Sequence, residues 1–224
     1  MSDLSGVIQK ISYFEELPPE ELRRLTAASR VISVDAGEAV FYEGEPAAGL
    51  YYVWRGSVKV LRYSPEGRQL IVREFRPGET FNEVGALDGT ENAATAIAGK
   101  KETQVILIAG DVIRDLIGRY PAVGSKMVRA MAQKLRFAMQ KVNSLALMDV
   151  KARLAVHLLE NADEAGVLKG ISHEELAAQL GTVRQVLGRA LGELQRAGAV
   201  DVKRGMIRVL DREALEALRE GRGN

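Results

Sequence analysis

The chain has 224 residues, of which 46% are apolar and 27% charged, and 31 basic against 30 acidic groups leave a formal net charge of +1. This composition is typical of a globular protein with enough chain for one large domain or two smaller ones. Because the sequence contains no cysteine, disulfides, thiolate zinc sites, iron–sulfur clusters and cysteine nucleophiles are excluded.

Membrane and metal binding are also disfavoured by the sequence. No apolar run approaches the 18 residues that a transmembrane helix needs, and the first residues, Met-Ser-Asp-Leu, lack the pattern of a signal peptide. We therefore expect a cytoplasmic protein without a membrane partner. The two histidines, His157 and His173, are too few for an all-histidine metal site, so no metal is expected.

Charge is unevenly distributed along the chain. Residues 1–111 contain 12 basic and 17 acidic groups, which leaves −5; residues 112–142 contain seven basic groups and one acidic group, which leaves +6. Residues 169–208 contain seven basic and four acidic groups, which leaves +3. An acidic front with a basic rear indicates a rear segment that faces nucleic acid, although scatter among solvated faces is the alternative.

The first half of the chain is predicted to contain one helix and then many short strands. The helix covers Pro18–Ala28, with proline early and glutamate in its first turn. Between the strands, Ser64-Pro-Glu-Gly67 predicts a hairpin turn. Many short strands separated by glycines predict a β-sandwich or closed barrel. The predicted strands are residues 30–34, 39–42, 50–54, 58–63, 69–75 and 103–108.

A long helix is predicted from about Pro121 to Ala146. About 25 helical residues span roughly 37 Å, which is long for a small domain. We therefore expect its apolar stripe to pack against a second subunit, and packing on its own barrel is the alternative. Asp149 is predicted to cap a further helix, so residues 146–149 are a candidate hinge. The stripe contains Val123, Met127, Met131, Leu135, Ala138, Val142 and Leu145.

The rear of the chain contains a pattern typical of DNA-binding domains. Ser172 and Glu175 stand at the N-cap and N3 positions of a predicted helix that ends near Gly181. A second helix follows this short turn, which gives a helix-turn-helix. Residues 200–209 then predict a β-hairpin with Lys203, Arg204 and Gly205 at its tip. A helix-turn-helix followed by a hairpin with a basic tip is a winged-helix arrangement.

Five stretches, in this order along the chain, carry a family resemblance. They are GEAVFYEGEP (37–46), YYVWRGSVKV (51–60), RPGETFNEVG (76–85), LALMDVKARL (145–154) and EELAAQLGTVRQVLGR (174–189). Together they resemble the cAMP receptor protein/FNR (Crp/Fnr) family of bacterial transcription regulators over nearly the whole chain.

The resemblance implies an α+β fold with three parts. Residues 1–111 would form an N-terminal β jelly-roll sensor similar to cyclic-nucleotide-binding domains, residues 112–146 a long dimerisation helix, and residues 147–224 a C-terminal winged helix-turn-helix. It further implies a homodimer that binds a palindromic site in double-stranded DNA and contacts RNA polymerase.

The second helix of the helix-turn-helix would enter the major groove by its N-terminal residues. Arg184 or Arg189 is expected to read a guanine, because the guanidinium matches its O6 and N7 acceptors, and Gln185 can pair with adenine. The family often has Glu at the position of Gln185, so a different half-site is expected here. Solvated arginines are the alternative. Expected contacts to the DNA backbone are Thr182, Lys203 and Arg204.

The sensor departs from the cAMP-binding members of the family. In those members a Glu holds the ribose hydroxyl and an Arg-Ser pair holds the phosphate. Glu83 matches the Glu, but the Arg-Ser position falls on Asn92-Ala93, and a buried phosphate without a cation is costly. A structural carboxylate bonded to turn amides is the alternative for Glu83. The adenine-contacting pair on the long helix falls on Ala138 and Met139, which lack hydroxyls.

We therefore expect no cofactor and disfavour cAMP. Haem is disfavoured too, because residues 1–156 contain no His or Cys ligand. An uncharged or apolar effector near Glu83, Asn92, Ala138 and Met139 remains, or no effector at all. Met139, with Phe137, could instead belong to an interhelical core.

Two other functional classes are alternatives to the DNA-binding regulator. One is a cyclic-nucleotide-like sensor that acts through protein contacts with a vestigial DNA-binding domain. The other is an enzyme, which we do not expect because no Ser-His-Asp order, P-loop or metal cluster occurs in the sequence. Activation or repression, the operator and the regulated genes are not encoded in any recognisable pattern.

Overall fold

The computed structural model describes residues 4–99 and 101–221, which fall into two units. The first unit takes the described residues of 1–62 and 72–136, and the second takes residues 63–71 and those described after 136. Each unit has its own hydrophobic core.

The first half of the chain has two helices and then eight strands. The helices are α1 (Leu4–Gln9) and α2 (Pro19–Ala27). The strands are β1 (Ser29–Val34), β2 (Ala39–Phe41), β3 (Gly49–Arg55), β4 (Val58–Tyr63), β5 (Gln69–Phe75), β6 (Thr80–Phe81), β7 (Thr95–Ala98) and β8 (Thr103–Ala109), with helix α3 (Glu83–Asp88) between β6 and β7.

The eight strands form the predicted jelly roll. One four-stranded sheet has the order β1-β8-β3-β6 and the other β2-β7-β4-β5. Inward-facing aromatic rings fill the space between the sheets, with centroids 5.1–6.0 Å apart. Such pairs add specific geometry to apolar burial. The rings belong to Phe41, Tyr51, Phe75 and Phe81.

All six predicted strands are present, and their ends differ from the prediction by at most one residue. The predicted turn is confirmed by a hydrogen bond from the Gly67 amide to the Ser64 carbonyl at 2.9 Å. Strands β6 and β7 were not predicted, because β6 has only two residues and β7 is half alanine, which favours strands weakly.

Two more helices complete the first half of the fold, α4 (Gly110–Arg119) and α5 (Pro121–Leu147). The stripe of α5 divides into two parts. Val123 and Met127 are buried in the core of the first unit, as the alternative interpretation predicted. Leu135 and Val142 are instead 62% and 63% exposed in the single chain. The apolar periodicity predicted the helix, but it did not show which residues of the stripe are buried and which are exposed.

The second unit contains α6 (Val150–Asn161), α7 (His173–Gln179), α8 (Arg184–Arg196) and α9 (Arg212–Arg219). A three-stranded sheet of order β10-β11-β9 joins them, formed by β9 (Val167–Lys169), β10 (Val200–Lys203) and β11 (Met206–Val209). The short strand β9 was not predicted.

Both predicted helix caps in the second unit are confirmed. The Asp149 carboxylate accepts a hydrogen bond from the Ala152 amide at 2.7 Å, and the Ser172 hydroxyl accepts one from the Glu175 amide at 3.1 Å. Each satisfies an amide that a helix start leaves unpaired. Asp149 also lies in the break between α5 and α6, within the predicted hinge. Of the helices described, none has the length and apolar character that crossing a bilayer requires.

Candidate functional site

Helix α8 presents one polar face to solvent. Its opposite face is buried in the core of the second unit through Leu187, Ala190, Leu191 and Leu194. At 100° per residue, Gln185, Arg189 and Arg196 lie closest to the centre of the exposed face, and Arg184 lies on its flank. The sequence pattern predicts Arg184, Gln185 and Arg189 on one face of this helix; Gln185 and Arg189 share that face, whereas Arg184 lies 100° around the helix from Gln185. Arg196 was missed, although its spacing of seven from Arg189 signals the same face.

The turn before α8 is sterically demanding. Gly181 has a φ of +63°, and a Cβ added there would lie 2.5 Å from Cδ2 of Leu145, near the end of α5. Glycine takes this left-handed conformation without the strain that most other residues would incur. Thr182 is half-buried, and its amide donates to the Ala177 carbonyl at 2.9 Å. Thr182 thus lies beside the first turn of α8, a position compatible with the predicted contact to the DNA backbone.

Lys141 of α5 holds the end of α7. Its ammonium group donates a hydrogen bond to the Gln179 carbonyl, and burial lowers its pKa. His157 on α6 lies in the same environment, where burial and the nearby charge of Lys141 lower its pKa to about 4. Neither residue was singled out as positioning the helix-turn-helix, because the contacts join segments far apart in the sequence.

The hairpin of β10 and β11 carries the predicted basic tip. Lys203 pairs with Met206 across the two strands, so Arg204 and Gly205 form a two-residue turn, in which Gly205 has a φ of +72°. Lys203 and Arg204 are exposed. The Lys203 ammonium lies 3.3 Å from a carboxylate oxygen of Asp201. Because ion pairs at the surface are weak, another anion could replace Asp201 as the partner of Lys203.

Glu83, the predicted effector residue, is 4% exposed and bonded within the chain. The Tyr13 hydroxyl donates to Oε1 at 3.1 Å, and the Lys134 ammonium donates to the same oxygen at 2.5 Å. These partners are side chains rather than the turn amides that the structural alternative proposed. Burial lowers the pKa of Lys134, an effect that the carboxylate of Glu83 opposes, and burial raises the pKa of Tyr13.

Asn92 is also buried and bonded within the chain. Its Nδ2 donates to the Tyr42 carbonyl at 3.2 Å, and its Oδ1 accepts from Asn82 at 3.0 Å. Asn82 directly precedes Glu83, so the structure brings the Asn92 and Glu83 segments together. Ala138 and Met139 are exposed on the part of α5 that belongs to the second unit.

A cation that the sequence reading missed lines a surface cavity beside Asn92. The cavity has a volume of about 750 Å³ and includes Arg62 of β4 and Glu43. The Arg62 guanidinium is bonded to the Glu43 carboxylate through two nitrogens. This cation is therefore already neutralised within the chain. Among the described residues, no group of three or more His, Asp or Glu side chains could hold a metal ion.

Family models match both units. The model described as a cyclic nucleotide-binding domain matches residues 31–120, and the model of the Crp-like helix-turn-helix domain matches residues 152–218. The first match contains Glu83 and Asn92, and the second contains the whole of α7, α8 and the hairpin.

Relatives match over nearly the full length. The chain is 30% identical over 209 residues to the cyclic AMP receptor protein of Thermus thermophilus, covering 93% of this chain and 96% of that protein. It is 26% identical over 222 residues to a CRP-like cAMP-activated global transcriptional regulator of Mycobacterium tuberculosis, covering 95% of this chain and 98% of that protein.

A solved structure shows the same fold. A Crp/Fnr-family transcriptional regulator from Eubacterium rectale aligns with a TM-score of 0.79 at 22% identity, covering 95% of this chain and 99% of that one. At the level of fold, this likeness agrees with the sequence comparisons. Taken with the exposed polar face of α8, these matches show that the chain belongs to the Crp/Fnr family of DNA-binding transcription regulators.

Proposed function

We propose that this regulator is a cytoplasmic homodimer that binds a palindromic operator and is not controlled by cAMP. The observation that carries the proposal is the exposed face of α8, where Gln185 and Arg189 project from a helix whose other face is fixed in a core. A helix held in this way can enter a major groove without rearranging.

Dimerisation is supported by the exposed part of α5. Val128, Leu135 and Val142 are spaced by seven residues and are 65%, 62% and 63% exposed in the single chain. Together with Met131 and Ala138, which lie between them, they form a heptad seam. Unpaired apolar rows of this kind are costly in water, and a second copy of the same helix would cover them.

We assign the recognition of DNA bases to residues near the start of α8, and the positioning of the protein on the DNA to residues around that helix. Arg184 or Arg189 would donate two guanidinium N–H groups to O6 and N7 of guanine, and Gln185 would pair with adenine. Thr182, Lys203 and Arg204 would contact phosphates and fix the register without specifying bases. In a two-fold dimer this arrangement gives two identical half-sites about one helical turn apart.

The case against cAMP rests on the sensor's own contacts. The chain has Asn92 where cAMP-binding members would hold the phosphate, and both ends of the Asn92 amide are used by Tyr42 and Asn82. Ala138 and Met139 offer no hydroxyl to a purine. RNA polymerase is proposed as a further partner on the basis of family membership, and DNA binding does not depend on it.

The test is a selection of random duplex DNA by the purified full-length protein, without added ligand, at about 150 mM salt, where non-specific phosphate binding is weak. We expect enrichment of a palindrome. The control is the Arg184→Ala/Arg189→Ala variant, which keeps the wing and should lose the enriched sequence. A wild-type protein that enriches no sequence under any condition would contradict the proposal, and one that enriches a palindrome only after cAMP is added would contradict the exclusion of cAMP.

A further inference from the structure

Three segments of the first unit meet at one buried carboxylate. Glu83, at the start of α3, accepts hydrogen bonds on Oε1 from Tyr13 and from Lys134 of α5. The Lys134 ammonium also donates to the Thr80 carbonyl at 2.7 Å, and it lies 5.3 Å from the ring centroid of Phe75. The long helix is therefore bonded directly to the end of the jelly roll.

The ammonium group of Lys134 is well satisfied by these partners. It has an anion, a carbonyl and an aromatic face, which together compensate the partial loss of water around a half-buried cation. A buried ion pair depends strongly on geometry, because a displaced partner leaves an uncompensated charge. The contact therefore favours one position of α5 over rotated or displaced ones.

Val123 and Met127 attach the first turns of α5 to the core of the first unit, and Lys134 adds a further contact later along the same helix. At 100° per residue, Val123, Met127 and Lys134 lie within about 20° of one line along the helix. Val123 and Met127 are buried in the sensor core, two to three turns before Lys134. Leu135 of the seam lies about 100° around the helix from this line, so the Lys134 contact fixes which way Leu135 faces.

The other polar groups of the predicted effector region also have partners within the chain. Asn92 is bonded to Tyr42 and Asn82, and Arg62 is bonded to Glu43. Arg73, close to Lys134, donates to Glu79 at 2.5 Å. A ligand would have to break these bonds before it made its own.

We propose that the Lys134–Glu83 ion pair acts as an internal tether that takes the place of an effector, so that α5 is held in its DNA-binding position without a ligand. The inference rests on the proposed function, because its consequence is operator binding by the unliganded dimer. Lys134 is a positioning residue in this role, since it reaches the DNA only through α5.

The test measures operator affinity by fluorescence anisotropy on the enriched duplex, without ligand. Lys134→Met alone leaves the buried Glu83 carboxylate without its cation and can prevent folding. The informative variant is Lys134→Met/Glu83→Gln, which removes the tether without leaving a charge. We expect it to remain folded and dimeric and to bind the operator at least about tenfold more weakly, within the usual range of coupling between sites. Lys134→Arg should retain most of the affinity.

The matched control is Lys126→Met, on the same helix, whose ammonium lies 3.1 Å from the exposed Glu16 carboxylate. It should leave affinity unchanged. A second readout is the preference among operators whose half-site spacing is altered by one or two base pairs. A loosened α5 should relax this preference, whereas a loss of stability alone should not.

The outcomes separate the tether from the proposed function. A wild-type protein that binds no duplex under any condition refutes the proposed function and the tether with it. A wild-type protein that binds only after cyclic AMP is added refutes the tether and the exclusion of cAMP, and leaves DNA binding by the dimer in place. Unchanged affinity and spacing preference in the double variant would refute the tether alone.

Discussion

Replacing Leu135 by alanine should weaken the dimer about 100-fold if α5 pairs with a second copy. Leu→Ala removes three carbons, worth about 2.4 kcal/mol at ~0.8 kcal/mol for each buried group. Leu135 is 62% exposed in the single chain, so only this fraction of its surface can be buried by a second copy. The burial free energy that dimerisation can contribute at this residue is therefore about 1.5 kcal/mol. The residue occurs twice in a symmetric dimer, which gives about 3 kcal/mol, and each 1.4 kcal/mol is tenfold in Kd.

Sedimentation equilibrium of the wild-type and variant proteins over a wide concentration range would measure this change. The matched control is Leu210→Ala, because Leu210 is 58% exposed and follows β11 rather than lying on α5. The control should leave the monomer–dimer equilibrium unchanged. Equal Kd values for Leu135→Ala and Leu210→Ala would refute the assignment of the seam to dimerisation.

Three further predictions concern the second unit. Arg184→Ala should cost about 1–3 kcal/mol on the selected operator and relax preference at one base pair, whereas an equal loss on all duplexes would identify a phosphate contact; competition binding distinguishes the two. Gln185→Glu should move the preference at one position towards cytosine in a repeated selection, and an unchanged site would show that Gln185 does not read that base. The unfolded chain binds a proton on His157 below pH 6.5 and the folded chain only below about 4, so acid should lower the free energy of unfolding by about 3 kcal/mol between pH 7 and pH 4. Urea unfolding of His157→Gln should lack this contribution while His173→Gln retains it, and identical pH profiles would contradict the assignment.

The fold was largely predictable because local signals agreed with tertiary packing. The Ser64–Gly67 turn and the caps at Asp149 and Ser172 each involve four residues or fewer, and the glycine-separated strands are at most seven residues long; all are present in the structure. Strand β7 was missed because its Thr95–Ala98 sequence favours a strand weakly. It exists because β2 and β4 pair with it on either side.

The contacts of the sensor could not be predicted in the same way. Glu83 was singled out by its position in a motif, but its partners Tyr13 and Lys134 are 70 and 51 residues away in the sequence. No spacing rule joins such positions. For the same reason the periodicity of α5 located its stripe without showing that Met127 is buried in the sensor and Leu135 is exposed.

The most direct test of a dimeric, sequence-specific regulator is hydroxyl-radical footprinting of the ligand-free protein on the selected duplex. The account predicts two protected regions related by two-fold symmetry, with centres about one helical turn, roughly 34 Å, apart. Protection of a single half-site would contradict the dimer. Uniform protection along the duplex would contradict sequence reading by Arg184, Gln185 and Arg189.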